Sequence, residues 1–141
     1  MISYFQRTET DADYYERKLR DRLPENLVDM HCHINLPEHL THVPPERIAS
    51  DWALQAGHAM TAEEADYYER TLFPEKQVQR VAFPFPIAEA DLKENNRYIA
   101  DCLREKKIQA GLMVTRPEWT NAEVEQTLMQ GGFAGLKPYP D

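Results

Sequence analysis

Leu-Val-Asp-Met-His-Cys-His-Ile, residues 27–34, is the stretch that decides the fold and the candidate site of this chain. A short run of apolar, branched residues leads directly into two histidines that are separated by one residue. Alternate side chains of a β-strand share a face, so the pattern predicts a strand in which His31 and His33 point the same way and Cys32 points the other way. Asp29 has the parity of the histidines and is expected on their face. Two neutral imidazoles at a strand end can bind one divalent transition metal ion.

Length, charge and cysteine content limit the classes of protein to which the chain can belong. A chain of 141 residues predicts one domain, and the formal net charge of −8 argues against a nucleic-acid or anionic-membrane partner. We expect no membrane span, because no run of about 18 apolar residues occurs. No secretory signal is visible, and two cysteines do not make a disulfide framework, so a reduced, cytoplasmic protein is expected.

Apolar runs that are typical of strands alternate along the chain with amphipathic helical patterns. The predicted strands are 27–33, 78–85, 108–114 and 133–137. The predicted helices are 11–23 with Thr10 as the N-cap, 89–107, and one that begins after Thr120 with Glu123 completing a capping box. This alternation predicts an α/β fold with parallel strands and right-handed crossovers.

The connection between the first two strands, residues 34–77, is longer than a crossover needs and is predicted to be a helical excursion. One helix is expected to begin at Pro44-Pro45, with an apolar stripe made of Ile48, Ala49, Trp52 and Ala56. A second is expected after Thr61, where Glu64 completes a capping box. Excursions of this kind often shape a pocket.

Two motifs together resemble a known family. A helix followed by Leu-Val-Asp-Met-His-Cys-His on the first strand, and Gly-Phe-Ala-Gly-Leu-Lys-Pro-Tyr-Pro on the fourth, is similar to the amino-terminal half of the amidohydrolase-related (amidohydrolase 2) metal-dependent hydrolases. The resemblance runs from about residue 10 to residue 141. It implies the first four units of a (β/α)8 TIM barrel, so residues 1–141 would form a single incomplete barrel domain that contains the excursion 34–77.

The resemblance also implies a site. His31 and His33 would be ligands to a divalent metal ion, with zinc expected, and Lys137 would match the fourth-strand lysine that is carbamylated and bridges two metals in some branches. The family's remaining ligands, from strands five, six and eight, have no counterpart in 141 residues, since a complete barrel needs roughly 250. The implied function is therefore that of a metal-dependent hydrolase acting on a small amide, lactone or ester, present as an amino-terminal fragment that is inactive alone. It would associate with itself or with a complementary carboxy-terminal half.

Several alternatives remain open at this point. Relatives with similar motifs are non-oxidative decarboxylases of aromatic or unsaturated acids, and a non-catalytic remnant or association module is a third reading. Lys137 is as well suited to contact a substrate anion or solvent as to be a carbamate, because a carbamate requires a neutral amine. Asp29 is equally suited to a contact with the site or to packing. His39, His42 and His58 are expected to be surface or structural residues, and Trp52 and Trp119 are expected to pack.

Overall fold

The computed structural model describes residues 6–57 and 59–139. Within them, four parallel strands form a curled sheet in the order β1-β2-β3-β4, so each strand pairs with its neighbour in sequence. The strands are β1 (Asn26–His33), β2 (Gln77–Phe83), β3 (Ala110–Thr115) and β4 (Gly135–Pro138). The prediction of a mixed α/β fold with a parallel sheet is confirmed, and the sheet is compatible with half of a β/α barrel.

Six α-helices accompany the strands in the described part of the chain. They are α1 (Glu9–Tyr14), α2 (Pro45–Ser50), α3 (Trp52–Gly57), α4 (Ala62–Leu72), α5 (Leu92–Arg104) and α6 (Asn121–Gly131). A π-helical turn, Tyr15–Leu19, continues α1, and a 3-10 turn, Pro37–Leu40, follows β1. None of these helices combines the length and the apolar character that crossing a lipid bilayer requires.

Two of the predicted capping boxes are confirmed, and one predicted cap is wrong. The side chains of Thr61 and Thr120 accept from the amides of Glu64 and Glu123, as predicted. The first helix, however, begins at Glu9 and is capped by Thr8 rather than Thr10. Thr8 and Asp11 form a complete capping box: the Thr8 hydroxyl accepts from the Asp11 amide, and the Asp11 carboxylate accepts from the Thr8 amide.

The single helix expected after Pro44-Pro45 is divided in two. Asp51 has an extended backbone between α2 and α3, and its carboxylate accepts from the amides of Ala53 and Leu54. The break rotates the second helix, so that Leu54 is fully buried while Trp52 is 80% exposed. The expectation that Trp52 packs in the core is therefore wrong, because an aspartate cap interrupts the helical period.

The core lies in two clusters. One contains Cys32, Ile34, Ala82, Ile99 and Cys102 among others, and joins the sheet to α4 and α5. The other contains Leu54, Phe83, Ile87, Leu92 and Val114 among others, and joins the excursion to the carboxyl end of the sheet. The prediction that Cys32 is a small buried core residue on the opposite face from the histidines is confirmed.

Helix α5 also supports the far end of β3 through a side chain. Ladder pairs between β2 and β3 are confined to Val81 with Ala110 and Ala82 with Gly111. Beyond them, the buried amide of Asn96 bonds to both the N–H and the carbonyl of Val114 at 3.1 and 2.8 Å. Asn96 thus satisfies backbone groups that a strand would otherwise pair.

Arg80 forms a buried ionic contact between the sheet and the helix layer. Its guanidinium is paired with both carboxylate oxygens of Glu69, through Nε at 3.0 Å and through Nη2. Nη1 donates to the carbonyls of Ala62 and Lys107, both at 3.3 Å. Only 4% of the Arg80 side chain and 14% of the Glu69 side chain are exposed, and Asp66 Oδ1 also lies 3.5 Å from Nη2, so the buried guanidinium depends on these carboxylates for solvation.

Replacing this arginine tests how much the contact contributes. We expect Arg80→Met to lower the free energy of unfolding by about 3–5 kcal/mol, because the Glu69 carboxylate and two carbonyls lose their partner. The control is Arg17→Met, which removes an exposed pair with Asp13 and should change stability by about 0.5 kcal/mol or less. Urea denaturation measures both. Equal, small losses in the two variants would contradict the assigned importance of Arg80.

Candidate functional site

Two histidines converge at the carboxyl end of β1. The Nε2 atoms of His31 and His33 lie 3.2 Å apart, and the two ring planes are inclined at 70°. Two nitrogens bound to one tetrahedral zinc ion at 2.0–2.1 Å lie roughly 3.3 Å from each other. The separation therefore suits two ligands of a single ion. Without a metal, the same distance suits a hydrogen bond in which one ring donates to the other.

The carbonyl group of Pro84 fixes the orientation of His33. Nδ1 of His33 lies 3.0 Å from this oxygen, which can only accept, so Nδ1–H donates and Nε2 carries the lone pair. Burial lowers the pKa of His33, with the charges of His31 and Lys137 acting in the same direction and the Pro84 carbonyl opposing them. A neutral imidazole whose other nitrogen is bonded to a carbonyl is the form in which histidine binds metal ions.

An extra residue in β1 determines which side chains share the site. Asp29 pairs with Arg80 and Cys32 pairs with Ala82, so Met30 and His31 occupy the space opposite one residue of β2. This β-bulge reverses the alternation, and Asp29 consequently lies on the face of Cys32 rather than on that of the histidines. The expectation that Asp29 shares the histidine face is therefore wrong, because it assumed an unbroken two-residue period.

Asp29 nevertheless contacts the candidate site through the backbone. Its Oδ1 accepts from the amide of His31 at 2.9 Å, which satisfies an N–H at the bulge. The carboxylate thus holds the backbone of one histidine from behind, while the imidazole lies on the other face of the strand. This is a contact to the site, one of the two roles considered for Asp29, although it is made from the opposite face.

Two phenylalanines that the sequence analysis did not identify form the wall of the site. The ring of Phe83 lies 5.0 Å from that of His31 and 4.6 Å from that of His33, and Phe85 lies 5.4 Å from His33. Phe83 is buried, whereas His31 is exposed and His33 is partly buried. Their signal in the sequence is the run Phe-Pro-Phe at the end of the second strand, where proline ends the ladder and leaves its carbonyl free.

Lys137 lies on β4 at the same end of the sheet. Its Nζ is 5.3 Å from the ring centroid of Phe83 and 5.7 Å from that of Tyr139. Because Phe83 contacts both imidazoles as well, one aromatic ring joins all three residues that the sequence singled out. The side chain is partly buried, and its charge acts on His33.

A second group of possible metal ligands lies on the opposite face of β1. Ligand atoms of Asp29, Cys32 and Glu69 lie within 4.8 Å of one another. The Arg80 guanidinium already occupies the Glu69 carboxylate. Burial raises the pKa of the Cys32 thiol to about 12, whereas a metal ligand must be the thiolate. The arrangement is therefore explained by the ion pair with Arg80.

The other histidines lie away from this pair or outside the described residues. His39 is buried, its Nδ1 accepts from the amide of Leu36 at 3.2 Å, and its ring contacts Tyr98, so its role is structural as expected. His42 is exposed. His58 lies outside the described residues.

A cleft of about 380 Å³ lies between α5 and α6 and contains neither of the paired histidines. Its cationic side chains have partners of their own. The pairs are Lys93 with Glu123, Arg97 with Glu94 and Arg104 with Asp101. The cleft is thus a surface groove lined by ordinary ion pairs, and the convergent imidazoles remain the candidate site.

The backbone contact from Asp29 can be tested separately from the imidazoles. We expect Asp29→Ala to weaken zinc binding about tenfold, as the loss of a supporting contact commonly does, because the His31 amide loses its acceptor. Asp29→Asn keeps an acceptor oxygen and should stay within about threefold of the unmodified chain. Competition with a chromophoric chelator gives the affinities, and Asp21→Ala, at an exposed aspartate, is the matched control. Unchanged affinity in Asp29→Ala would show that the contact does not position His31.

Comparisons with known proteins identify no family for this chain. It matches no protein-family model, no curated protein and no solved structure. The resemblance of residues 27–33 and 132–140 to amidohydrolase-related proteins therefore stays a prediction, and the site is interpreted from its own geometry.

Proposed function

We propose that this chain is part of a metal-dependent hydrolase of the amidohydrolase type, in which His31 and His33 bind a divalent metal ion. The observation that supports this most is the 3.2 Å separation of their Nε2 atoms, together with the bond from His33 Nδ1 to the Pro84 carbonyl. The curled parallel sheet supports the proposal as well, since a (β/α)8 TIM barrel would place these residues at the end where its active sites lie.

The donor set fits zinc, the metal expected from the sequence. Imidazole nitrogen is a ligand that zinc accepts readily, and both rings present nitrogen to one point. A catalytic zinc ion has three protein ligands, and the described residues bring two of them together here. The proposal thus requires at least one further ligand from outside this pair, for which Lys137 as a carbamate is one option.

The residues of the chain would serve the reaction in distinct ways. Zinc at such a site polarises a carbonyl group and acidifies water. Phe83 and Phe85 flank the imidazoles with apolar rings, and Phe85, which is only partly buried, would give a planar substrate a surface to pack on. Asp29 lies on the other face of β1, so a general base has to come from another residue.

A non-oxidative decarboxylase is the second candidate, and the position of Lys137 is the observation that favours it. A lysine whose Nζ lies over the ring that also contacts both imidazoles suits a substrate that carries a carboxylate. Assays on the zinc-loaded protein separate the two candidates: release of carbon dioxide from aromatic acids would favour the decarboxylase, and turnover of amides, lactones or esters would favour the hydrolase.

Removal of either imidazole tests the metal site directly. We expect His31→Ala and His33→Ala each to weaken zinc binding by more than about tenfold, because each removes one of two converging ligands. His42→Ala, at an exposed histidine of the excursion, is the matched control and should bind zinc as the unmodified chain does. Isothermal titration calorimetry measures the three affinities, and circular dichroism checks that the variants are folded.

Two outcomes would count against His31 and His33 as the metal ligands. If both variants retain the zinc affinity of the unmodified chain, the two histidines are not ligands and the proposed function fails. Loss of zinc in His42→Ala to the same extent would show that binding is distributed over surface histidines.

A further inference from the structure

The loop between β2 and α5 contributes two groups to the candidate site. The carbonyl oxygen of Pro84 lies 3.0 Å from His33 Nδ1, and the ring centroid of Phe85 lies 5.4 Å from that of His33. Both residues belong to the segment 84–91, which joins the end of β2 to the start of α5. The orientation of His33 and the wall beside it therefore depend on how this loop is held.

Arg116, which comes directly after β3, holds the loop through a single nitrogen atom. Its Nη2 lies 3.3, 2.5 and 2.9 Å from the carbonyl oxygens of Ile87, Ala88 and Ala90. A guanidinium group can only donate, so the three carbonyls face it as acceptors. The Glu118 carboxylate lies 3.9 Å from Nη1, which is beyond hydrogen-bond distance. The loop carbonyls are therefore closer partners of Arg116 than this carboxylate is.

A tight turn connects these contacts to the groups that face the site. The amide of Ile87 donates to the carbonyl of Phe85 at 3.1 Å, across Pro86. The rings of Pro84 and Pro86 fix their φ angles, so few backbone torsions are free between Pro84 and Ile87. Holding the carbonyl of Ile87 in place thus restricts the Phe85 side chain and the Pro84 carbonyl as well.

The backbone that carries Arg116 is itself firmly held. Val114, two residues earlier, is buried, and its N–H and its carbonyl are both bonded to the side chain of Asn96 on α5. The side chain of Arg116 is 23% exposed and extends from this end of β3 to the loop. The guanidinium group therefore joins the loop to a buried part of the sheet.

We propose that Arg116 is a positioning residue of the candidate site. By holding the loop after β2, it keeps the Pro84 carbonyl on His33 and the Phe85 ring beside the same imidazole. Its described hydrogen bonds are made to the loop and not to His31 or His33, so it acts on the site through the loop. The consequence for metal binding rests on the proposed function, whereas the consequence for the loop does not.

The first measurement is amide hydrogen exchange in Arg116→Met, with Arg97→Met as the control that removes an arginine from an exposed pair with Glu94. We expect Arg116→Met to accelerate exchange of the Ile87 and Ala90 amides about tenfold or more, because the loop opens locally, and to leave the amides of β1 unchanged. The control should change neither group of amides.

The second measurement reports on the site itself. The nuclear Overhauser cross-peaks between the ring protons of Phe85 and His33 should be lost in Arg116→Met, and zinc affinity should fall about tenfold, as the loss of a supporting contact commonly causes. Arg116→Lys should restore both, because one nitrogen makes all three contacts and an ammonium group has three N–H donors. If Arg116→Met does not fold, Arg116→Gln, which keeps two N–H donors, takes its place.

Three results would contradict the role assigned to Arg116. The first is unchanged exchange of the loop amides in Arg116→Met. The second is equal acceleration in the loop and in β1, because the loss would then be one of global stability. The third is faster loop exchange with unchanged cross-peaks and unchanged zinc affinity, because Arg116 would then hold the loop without positioning the site.

Failure of the proposed function gives a different result. If the unmodified chain binds no zinc, the proposed function fails by itself, and the cross-peaks between Phe85 and His33 in the metal-free chain decide the role of Arg116. Their loss in Arg116→Met with their return in Arg116→Lys would support it. Cross-peaks that persist in Arg116→Met would overturn it.

Discussion

The extra residue in β1, between Asp29 and Cys32, is the constraint on which the arrangement of both faces of the sheet depends. A regular strand would place Asp29 beside the histidines and would add a carboxylate to their face. The bulge instead turns Asp29 towards the helix layer and leaves the imidazoles with aromatic neighbours and a lysine. The Asp29 carboxylate in turn satisfies the His31 amide at the bulge, so the irregularity is supported by the residue that it displaces.

The two faces of this strand have opposite electrostatic roles. On the helix side, the Glu69 carboxylate neutralises a buried guanidinium, and the resulting contact joins β2 to α4. On the other side, the two imidazoles and the Lys137 side chain make a region that lacks a carboxylate among its described contacts. A buried charge without a partner is costly, which is why the fold depends on the contact between Arg80 and Glu69 remaining complete. The two groups of potential metal ligands differ in the same way. The group on the helix side, Asp29, Cys32 and Glu69, already has the Arg80 guanidinium as its cation, whereas the two imidazoles have none.

Much of the fold follows from short-range signals in the sequence. The capping boxes at Thr61 and Thr120 and the order of strands and helices were predictable, because caps and hydrophobic periods are local properties. The break at Asp51 was not, since a helical stripe continues through it and only the capping of Ala53 and Leu54 reveals it. The bulge was not predictable either: it is defined by the register of β1 against a strand about fifty residues later.

In the candidate site, too, some features follow from local sequence signals and others depend on the partner strand. That His31 and His33 share a face follows from their spacing, but their 3.2 Å approach and the Pro84 carbonyl behind His33 depend on the partner strand. The Phe-Pro-Phe run was visible, yet its contact with both imidazoles requires the parallel pairing of β1 with β2. The position of Lys137 at a strand end was expected, whereas its aromatic surroundings come from β2 and from the residue that follows β4.

The most direct test of the central claim is X-ray absorption spectroscopy of the zinc-loaded chain. The account predicts a first shell of nitrogen and oxygen that includes two imidazoles, because His31 and His33 present their Nε2 atoms to one point. A zinc–sulfur distance of about 2.3 Å would instead place the ion beside Cys32, on the other face of β1, and would contradict the account.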